Sequence, residues 1–245
     1  VKIRCIDTET TGVPSDEETG HALVEIGWCD LSEASTIDGT DYVVGEQAGE
    51  LVNPGRPIPV QARAVHHISD EDVQDAIHPD EACMILNDGD HTHCCAHNID
   101  FEKKFVGIGD RKWLCTYKTA LRLWPDAPGH KLGELMYFLE IDKEPDFVKE
   151  KAFPAHRAPP DAYLCAFVLR KILRTHDDVE ELIRWSNGPA LLYMCFMKKH
   201  KNKPWATVAR EDRPYLVWIY EQSDVKDRDI RATVKYWLNL TAQNT

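Results

Sequence analysis

Three extended runs precede the first helical signal in this chain, and that order constrains the fold more than anything else in the sequence. Residues 2–6 (Lys-Ile-Arg-Cys-Ile), 22–30 and 40–45 each read as a strand. From residue 91 the pattern changes. A strand at 91–97 feeds a helix at about 100–106, and a strand at 112–115 feeds helices near 117–124 and 131–139. Residues 156–175 place Tyr163, Ala166, Phe167, Val168, Leu169 and Ile172 as a buried helix would. Strands first, then strands alternating with helices, predict a mixed five-stranded sheet flanked by helices, an α/β class. Asn53-Pro54-Gly55-Arg56-Pro57-Ile58-Pro59 holds too many prolines for a regular element. Ser69 with Glu71 and Asp72 reads as a helix N-cap followed by first-turn acids.

The 245 residues suit one large domain, or a domain of ~150–180 residues with an appendage. Asn187-Gly188-Pro189 marks the break between a unit spanning 1–180 and a small module, 188–245. In the module, helices are expected at about 212–222 and 227–239. At 43% hydrophobic residues the chain can build a core, which excludes wholesale disorder. Mean hydropathy is -0.43, and no apolar run approaches the ~18 residues of a membrane helix. The short apolar start at Val1–Ile6 reads as a strand and not as a secretory leader. With no Cys-x-x-Cys pair among eight cysteines, free thiols in a reducing cytoplasm are expected. Charge is uneven: residues 1–110 carry 23 acids and 6 bases, a net of -17, whereas 111–245 carry 18 and 23, a net of +5. So acidic a first half argues against non-specific duplex binding by that half, although bound divalent cations would reverse the local field.

Three short segments carry chemistry. Asp7 and Glu9 lie two residues apart where a buried strand ends, so both project from one face and suit a hard cation such as Mg²⁺. His156 precedes Asp161 by five positions at the start of the long helix, pairing a general base with a carboxylate. His97-Asn98-Ile99-Asp100-Phe101-Glu102 is a strand-to-helix exit with two acids in the first turn. Singly, each is an ordinary acidic strand end or helix cap. Together they gather carboxylates at strand exits and helix starts, with one histidine beside them.

This constellation resembles the DEDDh group of 3′–5′ exonucleases, which have the ribonuclease H-like fold. Asp7-Thr8-Glu9-Thr10 is similar to that family's first motif, and His156 with Asp161 to its third, H-x-x-x-x-D. Within the group the chain is similar to the exonuclease X branch over nearly its whole length. The supporting stretches are Arg56-Pro57-Ile58, Ala64-Val65-His66-His67-Ile68, Leu114–Lys118, Leu121–Pro125 and the tail from Gly188. The resemblance implies hydrolysis of phosphodiester bonds from the 3′ end of single-stranded DNA, releasing nucleoside monophosphates with two Mg²⁺ or Mn²⁺ ions. RNA is the alternative substrate, and no membrane is involved. It further implies that Asp7 bridges both ions, that Glu9 binds one near the terminal 3′-hydroxyl, and that Asp161 holds the ion carrying the attacking water. His156 would deprotonate that water, and Thr10 and Asn98 would touch substrate.

Two departures from the family matter. Its second motif reads His-Asn-x-x-Phe-Asp, so the metal aspartate aligns with Glu102, while Asp100 sits roughly 200° away around a helix. Glu102 is therefore the expected ligand, and an impaired nucleic-acid-binding module is the competing reading. In the tail, Lys198 and Asn202 replace two glycines of a Phe-Gly-Lys-Tyr-x-Gly-Lys turn. Four lysines in six residues, beside Trp205 and Tyr215, suit a grip on a single strand. The competing reading is a solvated turn over a core of Trp205, Leu216, Trp218 and Trp237. His91, His93, Cys94, Cys95 and His97 alternate between faces of one strand and cannot converge on a soft metal.

Overall fold

A computed structural model describes residues 1–13, 20–37, 39–107, 109–221 and 224–242. Its framework is one five-stranded sheet in the order β3-β2-β1-β4-β5. The first three strands, β1 (Lys2–Thr10), β2 (Leu23–Thr36) and β3 (Gly39–Leu51), form an antiparallel meander. Strands β4 (His93–Ala96) and β5 (Lys112–Cys115) then add in parallel to the other edge of β1. Parallel addition requires crossovers, and helices supply them. Between β3 and β4 lie α1 (Val60–His66), α2 (Asp70–Val73) and α3 (Pro79–Asn87); α4 (Ile99–Glu102) joins β4 to β5. After β5 come α5 (Thr116–Leu123), α6 (Leu132–Phe138), α7 (Ala158–Thr175) and α8 (Val179–Asn187). The expected mixed sheet is present, with all five strands where the sequence put them. The first three run longer than expected, and α4 stops several residues early.

Alternation along β1 divides the core. Ile3 and Cys5 face one side with Cys29, Cys95 and Leu114, covered by Phe167, Leu169 and other residues of α7. Ile6 faces the other side with Ile26, Cys94 and Trp113, covered by Ala82 and Leu86 of α3. Adjacent cysteines 94 and 95 thus belong to opposite layers, as strand alternation requires. Arg4 is buried but saturated: it pairs with Asp30 at 2.8 Å and donates to the carbonyls of Ile85, Leu86 and Asp88, neutralising the C-terminal end of α3. The cap at Ser69 is a full capping box with Asp72.

Helix α7 crosses the sheet close to β2 because two strand positions lack side chains. A Cβ on Gly27 would fall 2.1 Å from the Ala158 backbone, and one on Gly49 would strike Pro159 at 2.5 Å. Helix α8 contributes fully buried Leu182 to the same core as α7. Beyond it, α9 (Trp205–Glu211), α10 (Arg213–Glu221) and α11 (Arg228–Ala242) enclose a separate small core of Cys195, Trp205, Val208, Leu216, Ile219 and Val234. Arg122 donates to the Pro189 carbonyl at 2.8 Å and Arg228 to that of Asn187 at 3.1 Å, tying this module to α5 and α8. Among the described residues no helix is long and apolar enough to cross a membrane.

Candidate active site

The C-terminal end of β1 carries Asp7 and Glu9 out on the face that α7 covers. The first turn of α7 brings Asp161 to meet them, and the loop before it brings His156. Ligating atoms of Glu9, His156 and Asp161 all lie within 4.8 Å of one another. Glu102, buried at the end of α4, accepts a 2.6 Å hydrogen bond from the Thr8 hydroxyl. Asp7, Glu102, His156 and Asp161 line one groove of about 630 Å³, walled by Asn98, Tyr117 and His130. Asp7, Glu9, Thr10, Asn98, Glu102 and Asp161 line an adjoining cavity of about 430 Å³, closed by Val65 and His66 of α1.

Electrostatics set this cluster apart from an acidic surface. Burial and the charges of Glu102, Asp161 and Glu9 hold the Asp7 carboxyl well above the usual range. Burial and the Asp161 charge raise Glu9 to about 8. Burial raises Glu102 to about 8, partly opposed by the Thr8 hydrogen bond. Asp161 rises to about 6 by burial, eased by the backbone N–H of His156, which donates to its Oδ2 at 3.1 Å. Arg157 eases Glu9, yet its guanidinium is engaged by Glu25. Four crowded carboxylates, with no dedicated counter-cation among the described residues, are a donor set that fits hard divalent ions.

The structure separates the two acids of the second motif. Asp100 is two-thirds exposed and pairs with Lys118 at 2.7 Å, whereas Glu102 lies within the field of Glu9. Thr10 turns its hydroxyl onto the Gly12 carbonyl at 2.8 Å while lining the cavity, and Asn98 sits at the N-cap of α4. His66 is buried at the cavity wall, its Nδ1 accepting from the Ile68 N–H. His97 is held by the Thr116 hydroxyl and the His130 carbonyl, both at 2.8 Å, and supports the wall.

Sequence reasoning missed Glu25. It faces Glu9 across β1 and β2, is buried, grips the Arg157 guanidinium at 2.5–3.1 Å and accepts the Ala158 N–H at 2.8 Å. It thereby fixes the start of α7, and with it Asp161. His156 itself holds a left-handed backbone, φ 61°, which aims its ring into the groove from an exposed loop. A second cluster, Cys5, Cys95 and Cys165, lies buried in the core with sulfurs within 4.8 Å of one another; burial pushes the thiols of Cys5 and Cys95 up.

The mixed five-stranded sheet with its flanking helices is a ribonuclease H-like core, and the chain is similar to exonucleases of known sequence and structure. Comparison with known proteins gives particular relatives. Exodeoxyribonuclease 10 of Escherichia coli (strain K12) is 29% identical over 244 residues, covering 98% of this chain and 100% of that protein. A DNA polymerase III subunit epsilon-like protein of Rhodobacter capsulatus is 33% identical over 151 residues, covering 55% of this chain and 19% of its own. Among solved structures, exonuclease X in complex with 5′ overhanging duplex DNA superposes with a TM-score of 0.59 at 26% identity, over 76% of this chain and 99% of that one. Escherichia coli exonuclease I in complex with a dT13 oligonucleotide shares the fold, with a TM-score of 0.52 at 12% identity over 74% of this chain and 42% of its own. No family model matches the chain.

Proposed function

We propose that this protein is a metal-dependent 3′–5′ exodeoxyribonuclease that removes nucleoside monophosphates from single-stranded DNA ends. The observation that carries the reading is the convergence of Asp7, Glu9, Glu102 and Asp161 in one groove with His156 beside them. The full-length likeness to an exodeoxyribonuclease supports the choice of DNA. In this reading the chemistry belongs to the body of residues 1–180 together with α8, and 188–245 is an accessory module.

Asp7, Glu9, Glu102 and Asp161 would hold two Mg²⁺ or Mn²⁺ ions. When bound, these supply positive charge to the attacking and leaving oxygens of an in-line displacement. His156 stands at the groove mouth next to Asp161, where its imidazole accepts a proton from the attacking water. The water oxygen bonds to phosphorus as the bond to the penultimate 3′-oxygen breaks, and that oxygen takes a proton from solvent to become the new 3′-hydroxyl. Asp161 also fixes the loop that presents His156, through the backbone N–H of that residue. Thr10 and Asn98 line the space where the terminal nucleotide would sit, and His66 closes it.

The test incubates a 5′-labelled DNA single strand and its RNA equivalent with Mg²⁺, Mn²⁺ or EDTA, with His156→Ala as control. A metal-dependent ladder shortening from the 3′ end and lost in the variant is the expected result. Faster shortening of RNA would make the enzyme an exoribonuclease. Binding without cleavage under either ion would replace the reading with that of an impaired binding module.

A further inference from the structure

The C-terminal module carries a second cleft, of about 680 Å³, that the chemistry above does not use. One wall is the 3₁₀ turn Lys198–His200; the other is the start of α10, with Tyr215 and Trp218. These two rings stack at 5.6 Å with an interplanar angle of 14°. Their burial differs sharply: Tyr215 is 9% exposed and Trp218 is 50% exposed. Trp218 is thus no part of the module's core, which closes on Trp205 and Leu216 instead. An indole left open on top of a stacked phenol is a platform that another flat ring would extend.

Charge around the platform is one-sided. Asp212 is the acid in the cleft, and it is already paired with Lys199 at 2.6 Å and His200 at 2.8 Å. That pairing sets Lys199 over the Tyr215 ring at 4.8 Å and His200 edge-on to it. Nearby Glu211 is engaged by Lys203 at 3.1 Å. Lys198 lines the cleft, Lys201 and Arg213 stand exposed beside it, and none of the three has an ion pair among the described residues. The two glycine replacements also fall into place. Asn202 takes the left-handed conformation, φ 65°, while Lys198 opens the 3₁₀ turn with no need of glycine. The module is not remote from the catalytic groove, since Tyr193 lies 6.3 Å from the His130 ring that helps wall it.

We propose that this cleft binds single-stranded nucleic acid, one base stacking on Trp218 and the adjoining phosphates held by Lys198 and its basic neighbours. The inference rests on the nuclease reading for the class of polymer alone. An exposed aromatic platform with cations free to meet phosphate is the pairing by which proteins hold single strands without regard to sequence. A strand held here retains its hold on the enzyme while its 3′ end is shortened in the groove.

The experiment measures binding of a 5′-labelled dT 20-mer by fluorescence anisotropy, with the full chain in EDTA across a salt series. Trp218→Ala is expected to weaken binding at least about fivefold, and Trp218→Phe to retain most of it. Lys198→Ala is expected to lower the slope of log affinity against log salt by about 0.7, one phosphate contact on a single strand. Initial rates on a dinucleotide, which reaches only the catalytic groove, should be unchanged in both alanine variants. Unchanged affinity and slope in the variants would overturn the proposal. So would loss of self-association in Trp218→Ala with 20-mer binding intact, which would make the cleft a contact between copies. Binding that depends on Trp218 in a chain that cleaves nothing would support the cleft and sink the nuclease reading, so the two fail separately.

Discussion

Glu102 is a residue at which this chain departs from the pattern it resembles, and its surroundings specify how the departure behaves. The Thr8 hydroxyl anchors one carboxylate oxygen at 2.6 Å, taking up the extra methylene and leaving the other oxygen for the groove. Asp100 is already committed to Lys118, whose ammonium is buried and also donates to the Ser186 carbonyl. Glu102→Gln should therefore lower kcat by at least about 100-fold, with Asp100→Asn within a few-fold of wild type. Equal losses in the two variants, by single-turnover assay, would show that the second motif is aligned wrongly. The same carboxylates give the metal-free protein a pH dependence with a definite sign. Glu9 and Glu102 have folded-state values raised to about 8, so the native state binds more protons than the unfolded chain between about 4.5 and 8. Stability from this cluster is thus full below the unfolded values and is lost as pH rises through 8. Below about 6.5 the histidines lowered by burial, such as His91 at about 4, act with the opposite sign, so the carboxylates are read at 6.5–8, where the Cys165 thiol, lowered by its contacts with Cys5 and Cys95, opposes them in part. Across it, urea unfolding in EDTA should show a loss on the order of 2 kcal/mol, flattened in Glu9→Gln and opposed by Mn²⁺. A stability that rises over this window would contradict the geometry of the cluster.

At the scale of elements, the site depends on how α7 seats against β2, and this is where the sequence is least informative. The strands at 2–6, 22–30, 91–97 and 112–115 announce themselves through apolar runs, and Asp7, Glu9, His156 and Asp161 through local spacing. Glu25 and Arg157 are 132 positions apart, and nothing in either neighbourhood marks them as partners. Gly27 and Gly49 read as strand-weakening glycines until α7 is seen to press its backbone on one and Pro159 on the other. Helix α1 escapes sequence reading for a related reason: it follows a proline-rich loop and leaves Val60 and Val65 exposed, so its seven residues show no clean apolar face. Val65 is exposed because it faces the cavity of the site. Glu25→Ala would strip a partly buried guanidinium of its partner and the start of α7 of its acceptor, at a cost of about 2–3 kcal/mol, since Arg157 is a third exposed. Activity should fall beyond the loss of folded protein, because Asp161 and His156 lose their common anchor. Denaturant midpoints paired with kcat at a temperature where both proteins are folded would check this, and a stability loss with unchanged kcat would reduce Glu25 to a structural residue.

For the whole molecule, the uneven charge of the two halves bears directly on the proposed function. The half with a net of -17 ends its first strand in the carboxylate groove, and the half with a net of +5 carries the basic module docked beside it. A polyanion approaching the metal-free protein is repelled by the groove and attracted by the module. With two divalent ions bound, their charge cancels that of the four carboxylates, so the repulsion is removed and the ions themselves offer positive charge to phosphate oxygens. One substitution should therefore have opposite effects under the two conditions. At pH 9, where Glu9 is largely ionised, Glu9→Gln removes a negative charge from the groove. It should tighten binding of a cleavage-resistant phosphorothioate strand about two- to fivefold in EDTA, as expected for a single charge a few ångströms from phosphate in a partly screened setting. In Mn²⁺ the same change removes a ligand, lowers ion occupancy and should weaken binding. Raising salt should shrink the EDTA effect first, since it is purely coulombic. A change of the same sign in both conditions would mean that the groove does not hold divalent ions, and that the first half's acidity serves something other than the meeting of metal and phosphate.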